Sequence, residues 1–383
     1  MSFHLDYLLD LPGVSVETCS CIENQFALQV RIVADGINCP HCERFTEELH
    51  QNRPILVRDL STFGKAVYLR VPRRQFCCRN CQRYATEVLP WMDWKRHHTK
   101  RYEEYVYQRI KVSTIEQVSR EEGLGVEEIK GIFDHVSAQR KNTWDSVKRV
   151  GIDEIAMRKG HQDFVTVVGD IEQGTLLDVI DSHRSADIIE VLSHQPIELR
   201  EQVEEVSIDM WGGFPKVIAQ VFPNAVLVYD RFHVMKLVNN ELNKLRKAVG
   251  MTLRGSRFLL LKNQTDLNQE QRSQLESILN HSCCLRIAHE LKEEFRQIYE
   301  TARTPESGKR RFQTWLNYAQ QLYQESCQTI RGHLDGICNY FISHSSSGAI
   351  EGINNRIKLI KRQGYDFTNF ENFRARLLAC FIH

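Results

Sequence analysis

FVTVVGDIEQGTLLDVI, Phe164–Ile180, is the stretch that decides the class of the main domain. Two apolar, β-branched runs, Phe164–Gly169 and Thr175–Ile180, flank a short polar turn, a pattern that predicts a β-hairpin. Just ahead, Val150-Gly-Ile-Asp153 reads as the end of another strand, which makes a three-stranded meander. Beyond the hairpin the period changes. Ala186–His194 reads as a short amphipathic helix, Val203–Asp209 as a strand ending in an acid, Gly213–Phe222 as a helix and Ala225–Asp230 (AVLVYD) as a further strand.

Three antiparallel strands followed by alternating helix and strand describe an α/β sheet of the RNase H kind. Past Pro223 the only proline is Pro305, and Phe232 to about Phe341 repeats apolar residues at three and four. That spacing predicts an all-helical insertion. It ends at SHSSSGAIEGINNRIKLIKR, Ser343–Arg362. On a helix Glu351, Asn355, Lys358 and Arg362 return to one face. A buried face would be apolar there. An acid, an amide and two cations suit a place where a metal ion and a phosphate backbone meet.

Asp153 and Asp209 each close an apolar strand, so both carboxylates are expected at one sheet edge, with the Glu351 helix packed beside it. Three gathered carboxylates repel unless a cation holds them. Hard oxygen ligands suit Mg2+ or Mn2+. Two such ions ~3.5–4 Å apart clamp the attacking and leaving oxygens of an in-line phosphoryl displacement. Taken singly, each acid has a plainer reading. Asp153 or its neighbour Glu154 is a surface acid, Asp209 a helix cap and Glu351 a first-turn acid favoured by the helix dipole. Taken together, in order at strand ends, the metal reading outweighs these.

The chain has 383 residues, enough for two or three domains, and an ordinary hydrophobic fraction of 42%. Its apolar runs fall short of the ~20 residues a membrane span needs. The opening MSFHLDYLLDLPGVSVE lacks a basic n-region, so no signal peptide is expected and the location is expected to be cytoplasmic, on the bacterial nucleoid. The net charge of +1 conceals an asymmetry. Arg70–Lys111 holds eleven Lys/Arg against four Asp/Glu, and Arg231–Lys262 eight against one, whereas Asp181–Asp209 holds eight acids against two bases. Separated basic blocks suggest an anionic polymer bound along a track. Each block alone reads equally well as solvated surface.

Five of the twelve cysteines are Cys39, Cys42, Cys77, Cys78 and Cys81. Two C-x2-C knuckles 35 residues apart, Cys39/Cys42 and Cys78/Cys81, read as a four-thiolate structural zinc site, with Cys77 a spare neighbour. Cys283, Cys284, Cys327, Cys338 and Cys380 fall in helical sequence and are expected as core thiols. Trp91–Arg140 is expected to be helical, and Thr114–Phe133 has a helix–turn–helix shape. Ile115 and Val118 face inward, Gly123-Leu-Gly125 turns, and Val126, Ile129 and Phe133 line the second helix. That suits DNA binding, although the second helix offers Glu127 and Glu128 beside the lone base Lys130. The basic lead-in Lys95, Arg96, His97, His98, Lys100 and Arg101 favours DNA over a plain αα-hairpin.

GIDEIA (Gly151–Ala156), SIDMWGGF (Ser207–Phe214), VYDRFHV (Val228–Val234) and SGAIEGINNRIKLIKRQGYDFTNFENFRARLL (Ser347–Leu378) together resemble the bacterial DDE transposases of the ISL3 insertion-sequence family, and the resemblance extends over nearly the whole chain. It implies an RNase H-like catalytic domain with Asp153, Asp209 and Glu351 as the metal-binding triad. The helical insertion it implies matches the 141 residues between Asp209 and Glu351. Asp230-Arg-Phe-His233 resembles the D-x2-H element of related transposases, which would put His233 near the active site. Lys358 and Arg362 would grip phosphates, and Trp211 would stack on an unpaired base or pack in the core.

The expected layout is a zinc ribbon over 1–90, a helix–turn–helix over 91–145, a catalytic domain from 146–235 and 342–383, and a helical insertion over 236–341. The expected function is a transposase, as a homodimer, that binds the terminal inverted repeats of its element and catalyses Mg2+-dependent double-stranded DNA cleavage and strand transfer. A non-catalytic DNA-binding regulator and a structure-specific nuclease are the alternatives.

Overall fold

The computed structural model of the chain describes residues 3–140, 144–158, 162–210, 212–345, 348–363 and 369–381. The chain forms two compact units, one within Met1–Lys141 and one within Asn142–Arg362 and Phe367–His383.

The first unit begins with a four-stranded sheet. Val14–Ile22 and Gln25–Ile32 form a hairpin, as do Ile55–Thr62 and Lys65–Val71, and the hairpins join where Gln25–Ile32 runs parallel to Lys65–Val71. Val16, Val30, Val57, Leu69 and Val71 give this sheet its own core, closed by Trp91 and Met92. A local reading of the first ninety residues as a zinc ribbon misses it, because the joining pair is remote in sequence. The first knuckle joins the short hairpin Ile37–Asn38/Phe45–Thr46, and the second joins Arg74–Cys77 to Tyr84–Thr86 in a three-stranded sheet with Leu49–Asn52.

Trp91–Thr99 is not helical, contrary to expectation. Its residues are committed elsewhere. Arg58 N donates to His97 O, Thr99 N donates to Arg58 O, and Trp91 is in the core. Three helices follow: Lys100–Val112, Ile115–Glu122 and Val126–Gln139. Thr99 caps the first, and Thr114 caps the second by accepting from Gln117 N. Gly123 ends the second at φ 66°, where a side chain would be strained. Val118, Ile129 and Phe133 are buried as expected, but Val126 is exposed at the start of its helix.

The second unit is built on a five-stranded sheet in the order Thr175–Ile180, Gln162–Asp170, Arg149–Arg158, Glu205–Ile208, Val226–Tyr229. The first three are antiparallel neighbours and the last two add in parallel. Helices Ser185–Ser193 and Phe214–Val221 make the crossovers that parallel pairing requires. One sheet face, with Val150, Ile152, Val206 and Ile208, packs on these helices, and one continuous core extends from it into the helices between Arg231 and Ser343. Phe295, Tyr299, Phe312, Trp315 and Phe341 anchor the far part of that core. Arg231–Ala248 runs unbroken through residues 235 and 236. The other sheet face, with Ile155, Val165, Val167 and Val179, is covered by Gly348–Gln363 and Phe370–Phe381. Arg374 locks the last helix to the sheet through Nε and a second guanidinium nitrogen on Asp178, at 2.8 and 3.0 Å.

Cys327, Cys338 and Cys380 are core thiols, but Cys283 and Cys284 are exposed. They occupy the first turn of Cys283–Thr301, ahead of its buried stripe at Leu285, Ala288, His289 and Leu291. No helix among the described residues is long and apolar enough to cross a membrane.

Candidate active site

Strand register assembles the acids. Ile152 pairs with Ile208, and Ile208 with Tyr229, on three neighbouring parallel strands. The next residue on each is acidic: Asp153, Asp209 and Asp230. All three therefore stand at one level, where parallel pairing ends and open α/β sheets take their ligands. Asp153 differs from expectation in not ending its strand. The strand continues to Arg158, paired through Asp153↔Val167 and Glu154↔Thr166, and only its parallel neighbour stops.

Asp153 accepts twice, at Oδ1 from Glu154 N (2.8 Å) and at Oδ2 from Asn354 Nδ2 (2.7 Å). Burial nonetheless holds its carboxyl above the usual range, and the Asp209 charge adds to the effect. Glu154 is pushed up to about 7, by burial first and then by Asp209 and Asp153. Buried Asp230 does two jobs. Its Oδ1 caps the following helix by accepting from Phe232 N, and its Oδ2 accepts from His233 Nδ1 at 2.9 Å. That hydrogen bond raises the His233 pKa, and the charges of Asp153 and Asp209 raise it further. The imidazole thus lies within the field of both aspartates.

Glu351 lies in the first turn of its helix with an exposed side chain. The ligand atoms of Asp153, Asp209 and Glu351 do not gather within 4.8 Å of one another. The helix itself is seated closely. Gly151 and Gly169 are cross-strand partners, and a Cβ on Gly151 would lie 2.3 Å from Ile350 Cγ1, one on Gly169 2.7 Å from Ile353 Cδ1. The glycine pair lets the helix approach the Asp153 strand, with Ile350 and Ile353 bracketing Glu351.

The site residue that sequence reasoning missed is Asn354. Its side chain is buried, and its Oδ1 has no hydrogen-bond partner. A signal existed: it is the polar member of the buried stripe Ile350, Ile353, Asn354, Ile357, Ile360. Asn355, Lys358 and Arg362 share the exposed side with Glu351, and Arg362 Nε donates to Lys358 O at 3.3 Å. Buried oxygens without partners beside crowded carboxylates fit a hard divalent cation. Trp211 lies outside the described residues.

In the first unit the four expected thiols come together. Cys39 and Cys81 Sγ are 3.6 Å apart, and Cys42 and Cys78 Sγ 3.5 Å. The knuckles are built alike. Cys39 N donates to Arg44 O and Glu43 N to Cys39 O, while Cys78 N donates to Arg83 O and Gln82 N to Cys78 O. Glu43 and Gln82, each just after its second cysteine, both adopt positive φ. The Arg44 backbone N–H, then the Asn80 side chain, lower the Cys42 pKa to about 6, which favours the thiolate a metal takes. Cys77 lies on the preceding strand, outside the cluster. The donor set fits tetrahedral Zn2+.

The cations expected on DNA divide. Lys95 is exposed and Lys130 half-buried. Arg96 Nε pairs with Glu103, Lys100 Nζ lies 3.3 Å from Asp93, and Arg101 pairs with buried Asp59. Much of the basic lead-in is thus neutralised internally.

Comparison with known proteins finds family matches in three regions of the chain. A family described as transposase matches residues 150–377. The zinc-finger of transposases IS204/IS1001/IS1096/IS1165 matches residues 35–81, and the helix-turn-helix domain of transposase family ISL3 matches residues 87–137. The transposase for insertion sequence element IS1001 of Bordetella parapertussis is 28% identical over 373 residues, 93% of this chain and 91% of its own. The transposase for insertion sequence element IS1557 of Mycobacterium tuberculosis is 26% identical over 264 residues, 60% of this chain and 59% of its own.

Proposed function

The chain belongs to the ISL3 family of transposases, and from that premise we propose that Asp153, Asp209 and Glu351 form the metal-binding triad of an RNase H-like catalytic domain. The observation that carries this reading is the register that sets Asp153 beside Asp209 on adjacent parallel strands, with the Glu351 helix seated on the Asp153 strand. The sheet order, three antiparallel strands and then two parallel ones, supports the RNase H assignment. The helices between Arg231 and Ser343 are the insertion that separates Asp209 from Glu351.

Mg2+ or Mn2+ held there would supply Lewis acidity toward the scissile phosphate and the oxygens entering and leaving it. The protein's own groups do the rest. Asn354 orients Asp153. His233, held by Asp230, presents a proton donor toward the same acids. Lys358 and Arg362, on the exposed side of the Glu351 helix, hold DNA phosphates. The zinc-finger and helix-turn-helix regions bind DNA, and we assign them the terminal inverted repeats, with a structural Zn2+ on Cys39, Cys42, Cys78 and Cys81. Two DNA ends must be cut and joined, so the working form is a homodimer, acting at the nucleoid.

The test is cleavage of a duplex bearing the element's end. Nicking and strand joining should require Mg2+, stop with EDTA and fall to background in D153A, D209A and E351A. Nicking that survives D209A would overturn the triad. Binding with no nicking would indicate a regulator, and nicking without joining a nuclease.

A further inference from the structure

We propose a second divalent-metal site in the first unit, separate from the cysteines, made by Asp93, Glu103 and His135. Asp93 Oδ2, Glu103 Oε2 and His135 Nε2 converge. The imidazole nitrogen is 2.9 Å from the first and 3.6 Å from the second, and one ligand atom from each residue lies within 4.8 Å of the others. Ligands at about 2.0–2.2 Å around a tetrahedral ion sit roughly 3.3–3.6 Å apart, so the Glu103–His135 spacing already fits and the Asp93–His135 pair needs to open by about half an ångström.

Hydrogen bonding crowds this group. Asp93 Oδ2 accepts from both His135 Nε2 at 2.9 Å and Gln139 Nε2 at 3.1 Å, which leaves the two donor nitrogens only 3.0 Å apart. One ring N–H also cannot serve Glu103, which lies beyond hydrogen-bond reach. An ion resolves this by taking a lone pair from each of the three atoms. The neighbouring cations do not occupy that place. Arg96 Nε binds Glu103 Oε1 at 2.7 Å and Lys100 Nζ lies 3.3 Å from Asp93 Oδ1, so each uses the outer oxygen and leaves the inner one facing His135. Such outer contacts orient carboxylate ligands.

His98 supplies an independent observation. It is 6% exposed, and its Nδ1 is buried with no hydrogen-bond partner, aimed at Glu103 Oε1 from 3.4 Å. Its Nε2 meets Glu128 at 2.9 Å. Two carboxylates and an imidazole match the charge and softness of Zn2+, with a fourth position for water. The three donors come from the Trp91–Thr99 lead-in, the Lys100–Val112 helix and the Val126–Gln139 helix. An ion there would fix the second helix of the helix–turn–helix against the basic lead-in.

The test counts metal in untagged full-length protein carrying D209A and E351A, so that the catalytic acids contribute none. Dialysis against Zn2+ and then metal-free buffer should leave two zinc ions per chain. Adding H135Q should leave one, and adding D93N instead should weaken the second ion by about tenfold or more. With Co2+, the first equivalent should show thiolate charge-transfer absorption and the second only weaker bands of nitrogen and oxygen ligation. A single metal per chain with purely thiolate ligation would overturn the site, and that count needs no variant of Asp93 or His135. Retention of both ions in H135Q would overturn it equally.

Discussion

Asn354 donates from Nδ2 to Asp153 Oδ2 at 2.7 Å, joining the Glu351 helix to the Asp153 strand across 201 residues of sequence. This hydrogen bond favours the charged carboxylate, against burial that disfavours it. N354A should therefore raise the Mg2+ concentration for half-maximal cleavage by about 10–100-fold, with activity largely recovered at saturating metal. A loss of activity that no metal concentration restores would show that Asn354 does more than orient Asp153.

Gly151 and Ile350 should be energetically coupled. A Cβ at residue 151 would lie 2.3 Å from Ile350 Cγ1. G151A should destabilise the second unit by about 1–3 kcal/mol, and I350A alone by about 2–5 kcal/mol. The double variant should be more stable than the sum of the two losses predicts, by roughly 1 kcal/mol or more. Urea unfolding of the four proteins measures this. Simple additivity would mean the helix does not rest on the glycine.

Serine in place of Cys39, Cys42, Cys78 or Cys81 should cost one zinc per chain, measured by elemental analysis. C77S should cost none, because Cys77 stands outside the thiol cluster. Chelation should lower the melting temperature of wild type more than that of C42S. Zinc loss in C77S would reassign the second knuckle.

His289 should make folding acid-sensitive. It is buried, its Nε2 has no partner, and burial first, then Lys292, lower its pKa from 6.5 to about 4. A base with a depressed folded pKa leaves the unfolded state holding more protons between these values. Stability should thus fall as pH drops from 6.5 towards 4 and level off below. Between pH 7.5 and 4.5 the loss assignable to His289 is about 2–3 kcal/mol. Denaturant titrations should show H289L losing less over the same range. Equal losses in both proteins would remove His289 from the account.

Much of this was legible in the residues. The meander followed from β-branched runs, the helix–turn–helix from its glycine turn, and the thiol cluster from knuckle spacing, because each of these signals is local. The acids that follow apolar runs were readable too, although Asp153 lies inside its strand, and register then supplied what periodicity could not, namely that Asp153, Asp209 and Asp230 share one level. What escaped depends on distant partners. Nothing near Arg101 in sequence points to Asp59, so a charge sum counted it as free for DNA. The parallel join between Gln25–Ile32 and Lys65–Val71 spans a gap that holds a whole zinc knuckle. Asn354 was overlooked because the helix was read for its exposed face, while the link to Asp153 comes from the buried one.

Gly336 sits so close to the edge strand that a Cβ there would meet Leu227 and Tyr229 at 2.6–2.7 Å, while Asn339 Nδ2 donates to Leu227 O and Tyr229 OH meets His333 Nδ1. The same strand launches the Arg231–Ala248 helix. The long helical excursion therefore leaves and re-enters at one strand, like a bag tied at its neck. Its contents can change in length at little entropic cost, since closing a larger loop adds only about 0.6 kcal/mol per doubling. What hangs beyond the knot can accordingly lengthen or shorten while the five-stranded sheet keeps its shape, provided residue 336 stays small.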